Sequence, residues 1–226
     1  MIEVVKSQLD VGLICDDVSV VDFWREEAGL AFDHVLPIAN GHDQHRFDER
    51  GSVVKVNLVQ TLAGDRRSDI VEILIERAVL SEPRRLVDPD GNRVVFVPTG
   101  QEGVTQLGVR IAVPSLERTM AHYHGVLGFE AETARRVRCG DTVLLFDERS
   151  DAPSGFGQAQ RGWLYLTVQV RDCDAEVARI EGLGGRVVVS PRNLGEVARM
   201  AMVADPDDNL LEISQRASLT GPLPNR

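Results

Sequence analysis

Nowhere in this chain of 226 residues do 18 apolar residues run together, so no helix is expected to cross a membrane. The N-terminus carries neither a basic stretch nor an apolar core of the signal-peptide kind, and a cytoplasmic location is the expectation. Cysteine is scarce. Cys15, Cys139 and Cys173 are odd in number and lack CxxC spacing, which argues against a disulfide framework or a zinc knuckle and for reduced, packed thiols. Aromatic residues make up 5% of the chain, leaving few surfaces on which a flat ring could stack beyond Phe32, Phe47, Phe146, Phe156, Trp163 and Tyr165. Positive charge is also short, with 25 Lys and Arg against 35 Asp and Glu for a net charge of −10. The Arg66-Arg67 and Arg84-Arg85 pairs are too isolated to overcome that balance, so no nucleic acid partner is expected, and polyanionic substrates are mildly disfavoured. No nucleophile elbow, P-loop or dinucleotide fingerprint is present, and Gly182-Leu183-Gly184-Gly185 is a helix stop.

What the chain does contain is a repeat. Val87-Asp88-Pro89-Asp90-Gly91-Asn92-Arg93-Val94-Val95-Phe96 returns as Ala204-Asp205-Pro206-Asp207-Asp208-Asn209-Leu210-Leu211-Glu212-Ile213. Both copies start with turn chemistry: Pro fixes φ, the Asx side chains cap their own backbone, and Gly or Asn accepts positive φ, so each predicts a tight hairpin entering an apolar strand. Upstream, Leu9 to Ile14 followed by Val20-Val21-Asp22-Phe23-Trp24 and Ala28-Gly29-Leu30 is echoed by Leu107 to Pro114, Met120-Ala121-His122-Tyr123 and Val126-Leu127-Gly128-Phe129. The period is roughly a hundred residues.

Taken together the two signatures resemble the vicinal oxygen chelate superfamily of glyoxalase I, methylmalonyl-CoA epimerase, bleomycin-resistance proteins and extradiol dioxygenases, over nearly all of residues 7 to 216. The resemblance implies an α+β fold of repeated βαβββ modules forming two cup-shaped half-barrel domains, the first with a shortened second module. It divides the chain into an N-terminal degenerate glyoxalase-like domain over 1–98, a C-terminal domain of two βαβββ modules over 104–216, and a frayed tail over 217–226. Hydrophobic periodicity supplies the elements. The first module is Leu9 to Cys15, a helix from Val18 to Glu27, His34 to Ile38, and a hairpin through Asp48-Glu49-Arg50-Gly51 into Ser52 to Val59. Next comes a shortened unit, Asp69 to Ala78 and then Leu86 to Val97, without helix and missing at least one strand. The third is Val104 to Val113, a helix from Ser115 to Leu127, Ala131 to Val137 and Thr142 to Phe146. After a loop over 150–162, the fourth is Trp163 to Val170, a helix from Cys173 to Leu183, Arg186 to Ser190, Ala198 to Val203 and Leu210 to Gln215.

Metal-using members carry a histidine on the first strand of a module and a glutamate on its last, both pointing into the cup. By carry-over the first-strand positions are Asp10, Gly108 and Tyr165 and the last-strand positions Val95 and Glu212, so only Glu212 keeps a ligand type. A ring-cleaving iron site needs two imidazoles and a carboxylate. Its triad would fall on Gly108, Tyr165 and Glu212, and no cofactor is expected because the ligand positions are mostly lost. His42, Asp43 and His45 form a weak loop cluster that could hold a metal, while His122 and His124 lie on an amphipathic helix and are expected to pack or face solvent.

Strand parity gives a substitute inventory. Asp10, His45, Lys55 and Asn57 form an expected acid, base and hydrogen-bonding cluster in the first cup. Arg110, Tyr165, Thr167, Gln169 and Glu212 line the second as substrate-binding groups, with Arg110 and Glu212 able to pair where a cation would sit. The expectation is a small-molecule enzyme, a lyase or isomerase using acid/base groups without the metal triad. The alternative is a metal-free, ligand-sequestering protein of the bleomycin-resistance kind, and metal-dependent dioxygenase or glyoxalase chemistry ranks last. A homodimer is one expectation for covering the sheet edge that the shortened module exposes.

Overall fold

The computed structural model describes residues 2–39, 41–152 and 159–224; Phe156 and part of the 150–162 loop lie outside them. The first module is β1 (Asp10–Cys15), α1 (Val18–Glu26), β2 (Ala31–Ala39), β3 (His42–Glu49) and β4 (Ser52–Val59). Asp17 caps α1 by accepting from Ser19 N–H, and the helix buries Val20, Val21, Phe23 and Trp24 as one stripe. The second module is β5 (Ile70–Glu76), β6 (Arg84–Val87) and β7 (Arg93–Val97), with no helix. The third is β8 (Leu107–Val113), α2 (Leu116–Met120) continuing as a π-helical turn over Ala121–Val126, β9 (Glu130–Thr133), β10 (Arg136–Cys139) and β11 (Thr142–Glu148). The fourth is β12 (Gly162–Gln169), α3 (Cys173–Gly182), β13 (Arg186–Leu194), β14 (Ala198–Ala204) and β15 (Leu210–Arg216).

Two expectations about local structure change. Ala131 to Val137 is a hairpin, not one strand: β9 and β10 pair antiparallel around a turn at 134–135, where Thr133 Oγ1 accepts the Arg135 N–H. No Gly, Pro or Asn marks that turn, so its sequence carries no punctuation. The start of the tail is also ordered, as a short helix α4 over Ala217–Thr220.

The repeated turns are built alike. Asp88 Oδ1 accepts from the backbone of Asp90 and Asn92, and Asp205 Oδ1 from that of Asp207 and Asn209. In each, the asparagine side chain donates back to the aspartate's other oxygen, at 2.8 and 2.9 Å.

The strands form an eight-stranded sheet, β13-β14-β15-β12-β1-β4-β3-β2, and a seven-stranded sheet, β6-β7-β5-β8-β11-β10-β9. Module one therefore joins module four, and module two joins module three. Each half-barrel takes one module from either side of the Pro98–Gly103 linker, so the cups are not the contiguous segments 1–98 and 104–216. Periodicity reveals the modules but not which ones share strand edges.

Both sheets turn one face to a common core. Alternating positions such as Val11, Leu13, Val54, Val56, Leu166 and Val168 pack there with Trp24, which meets Trp163 edge-on at 5.9 Å. The opposite faces differ sharply. In the seven-stranded sheet that face holds an apolar cluster of Leu74, Val95, Val97, Val104, Val143 and Leu145 beside the Arg110–Glu72 ion pair. In the eight-stranded sheet it is polar, and the site lies there.

Candidate functional site

Sheet register decides which side chains meet. β1 pairs antiparallel with β12, setting Asp10 opposite Thr167; β1 runs parallel to β4, with Gly12 opposite Lys55; and β12 runs parallel to β15, with Thr167 opposite Glu212. Asp10, Lys55, Thr167 and Glu212 thus converge on the concave face from the first and last strands of two modules. Lys55, only 4% exposed, is at the centre. Its Nζ donates to Thr167 Oγ1 at 2.6 Å and lies 3.6 Å from Asp10 Oδ2 and 3.8 Å from Glu212 Oε1. The Tyr165 ring lies beneath it, 5.4 Å from the ammonium. That ring occupies the space a side chain on Gly12 would take, since a Cβ there would be 2.5 Å from Tyr165 Cζ.

Burial pulls Lys55 below the ordinary lysine range, against the pull of Glu212 and Asp10. Burial alone would raise Asp10, but Lys55 and Lys6 outweigh it and hold the carboxylate low; Lys6 Nζ is 2.5 Å away and the Val53 N–H donates to it.

Above this ring, Gln44 and Arg46 point into the cup from β3. Gln44 Nε2 donates to Asn57 Oδ1 at 3.0 Å and to the Tyr165 hydroxyl at 3.3 Å, while Arg46 Nη1 donates to Gln44 Oε1 at 2.6 Å. Asn57 is tied to Leu13 O and accepts contacts from Gln44 and His42, so it braces the wall. A cavity of 440 Å³ opens over the polar floor, within the range of small-molecule sites. Both edge strands line it, β2 with Leu36, Pro37 and Ile38, and the β13 end with Asn193 and Leu194. Its floor includes Arg46, Lys55, Gln169, Glu212, Ser214 and Arg216.

Seven of the nine residues singled out from sequence share this one cup: Asp10, Lys55, Asn57, Tyr165, Thr167, Gln169 and Glu212. They had been divided between two. His45 does not join them. It is opposite Val56 on the core-facing side of β3, among charges of α1, with Nδ1 buried and without a partner. Arg110 belongs to the other sheet, where it meets Glu72 at 2.9 Å, Glu102 at 2.5 Å and Asp147 at 3.4 Å, so the Arg110–Glu212 pair does not form. His42 and His45 face opposite sides of β3, and no cluster of three or more His, Cys, Asp or Glu that could hold a metal occurs among the described residues.

Gln44, Arg46, Ser214 and Arg216 were missed. A signal for the first two exists: Arg50 and Gly51 form a two-residue turn with φ of 49° and 98°, which fixes Arg46 opposite Lys55 and Gln44 opposite Asn57.

The four-strand junction can be tested against a metal ion. The first and last strands of the paired modules present Asp10, Thr167, Lys55 and Glu212, with Thr167 rather than Tyr165 on the register. One position is itself a cation and another a hydroxyl, and the ammonium already sits between the two carboxylates. This donor set does not fit a divalent ion.

Residues 105–213 match the family model of the Glyoxalase/Bleomycin resistance protein/Dioxygenase superfamily. A glyoxalase I variant from Zea mays superposes with a TM-score of 0.71 at 12% identity, over 94% of this chain and 93% of that one. A protein described as a putative dioxygenase from Bacillus subtilis superposes with a TM-score of 0.68 at 12% identity, over 96% and 86%. No curated protein matches the sequence. At these identities the structural likeness concerns the fold.

Proposed function

From the match of residues 105–213 to the model of the glyoxalase/bleomycin resistance protein/dioxygenase superfamily, we propose that this chain is a metal-free small-molecule lyase or isomerase of that superfamily, working in the cup of modules one and four. The observation that carries the reading is the Lys55 ammonium between Asp10 and Glu212, below an open cavity. Among the described residues Lys55 Nζ makes one hydrogen bond, to Thr167, and its contacts to Asp10 and Glu212 are longer than hydrogen bonds. N–H donors therefore remain to stabilise an oxyanion developing on a bound substrate. Glu212, at the cavity floor with its side chain 14% exposed, is the base that takes a proton from carbon. Thr167 and Asp10 are positioning residues that hold the ammonium. Arg110 is left out of the machinery.

The test joins metal analysis to turnover. Protein purified without a nickel column and without chelator is assayed for metal per chain by ICP-MS, then screened on compounds with an acidic proton beside a carbonyl, with and without EDTA. Expected are substoichiometric metal, EDTA-insensitive turnover, and a loss of about 100-fold or more in Glu212→Gln. Stoichiometric metal that EDTA removes together with activity overturns the reading. Tight binding without turnover of the ligand it binds favours sequestration instead. The apolar walls of the same cavity support that second reading.

A further inference from the structure

We infer that the site's ligand is a small organic acid, a carboxylate on an apolar body, with Arg46 and Arg216 holding the acid group; this rests on the reading of the cup as the functional site. Lys55 is balanced by Asp10 and Glu212. The two arginines on the same cavity are not.

Arg46 is 4% exposed, yet among the described residues its guanidinium has one hydrogen bond, to Gln44 Oε1, and its buried Nε has no partner. No ion pair within 4.0 Å links Arg46 or Arg216 to a carboxylate among the described residues, and Asp10 and Asp33 act on Arg46 only from farther off. Burial and the facing Arg216 both disfavour the charge on Arg46. A buried guanidinium without a counter-charge is costly, and a second cation nearby adds to the cost. An incoming carboxylate removes both penalties, and the planar fork of Arg matches it. Ser214 lines the same cavity, and its hydroxyl can donate a further hydrogen bond to the carboxylate.

The mouth selects the other end of the ligand. Ile38, Leu194 and Val197 are 44%, 43% and 49% exposed and all line this cavity. Large apolar side chains left exposed at one opening favour an apolar ligand body.

The chain's net charge of −10 works against anion capture at long range, so specificity rests on the two local arginines. The experiment is calorimetric titration of the full chain with butyrate, hexanoate, octanoate and decanoate. The matching alcohols and inorganic phosphate are run alongside, at low and high salt. Expected is carboxylate binding that strengthens with chain length, exceeds that of the alcohols at least tenfold and weakens with salt. Arg216→Met, at a half-buried side chain with no hydrogen bond or ion pair among the described residues, is expected to lose at least tenfold in octanoate affinity; Arg46→Gln tests the deeper arginine if it folds. Equal binding of acid and alcohol overturns the inference, as does unchanged affinity in Arg216→Met, phosphate matching octanoate, or no binding across the series. Because these acids bind without reacting, the outcome is independent of whether turnover or metal analysis upholds the acid/base reading.

Discussion

Lys55 Nζ donates to Thr167 Oγ1 at 2.6 Å, joining the last strand of the first module to the first strand of the fourth. This bond, with the flanking Asp10 and Glu212, puts a side-chain cation at a four-strand junction where two paired modules converge. The protein supplies its own positive charge there.

Removing that charge leaves two carboxylates facing each other. Lys55→Met is expected to cost about 3 kcal/mol in chemical denaturation, the lower end for breaking a buried pair, because Lys6 still neutralises Asp10. The double variant Lys55→Met with Glu212→Gln should recover part of that loss. If the two changes add without coupling, the ammonium is not what holds the junction together.

The charge can also be inverted. Lys55→Glu puts a third carboxylate beside Asp10 and Glu212, giving the oxygen-rich set that divalent cations take. Manganese or zinc should then raise the melting temperature of the variant, with about one ion per chain by ICP-MS, and should leave the parent protein unchanged. A variant that folds but takes up no metal contradicts the geometry of the junction.

Gly12 and Tyr165 form a steric pair whose exchange is testable. A methyl on Gly12 would meet the tyrosine ring at 2.5 Å, so Gly12→Ala is expected to cost about 1–3 kcal/mol and to displace the Tyr165 hydroxyl from Gln44. Adding Tyr165→Leu should reduce the cost of the alanine. Simple additivity in thermal melts would mean that the ring moves aside freely.

Much of this was legible beforehand, and the gaps have physical causes. The Asp-Pro-Asp turns exposed the repeat because turn chemistry is local, and alternation assigned Lys55, Thr167 and Glu212 to a concave face because period two is local as well. Which modules shared that face was hidden, since strand pairing between residues as far apart as Asp10 and Thr167 leaves no trace in either segment. That is why Arg110 was grouped with Glu212 although it lies in the other sheet. His45 was misassigned for a smaller reason. Its neighbours Gln44 and Arg46 are also polar, so polarity alone did not fix the parity of β3, whereas the Arg50-Gly51 turn does.

Asp69 makes a final prediction about pH. It is 5% exposed just before β5, and its backbone N–H donates to Asn209 Oδ1 in the fourth module's turn. Burial, with Asp205 and Asp207 nearby, raises its carboxyl from 3.8 to about 7. A raised acid binds its proton more tightly folded than unfolded, so its contribution is full below about 4 and is lost as pH rises to about 7. His122 and His45 work in the opposite direction, since burial lowers both and favours their neutral forms as pH rises. The difference between the parent protein and Asp69→Asn cancels the histidines. Asp69→Asn should gain stability relative to the parent between pH 5 and pH 8, on the order of 2 kcal/mol after allowing for solvent screening. Urea melts at the two pH values read it directly, and a gain that is the same at both would show that Asp69 does not titrate in this window.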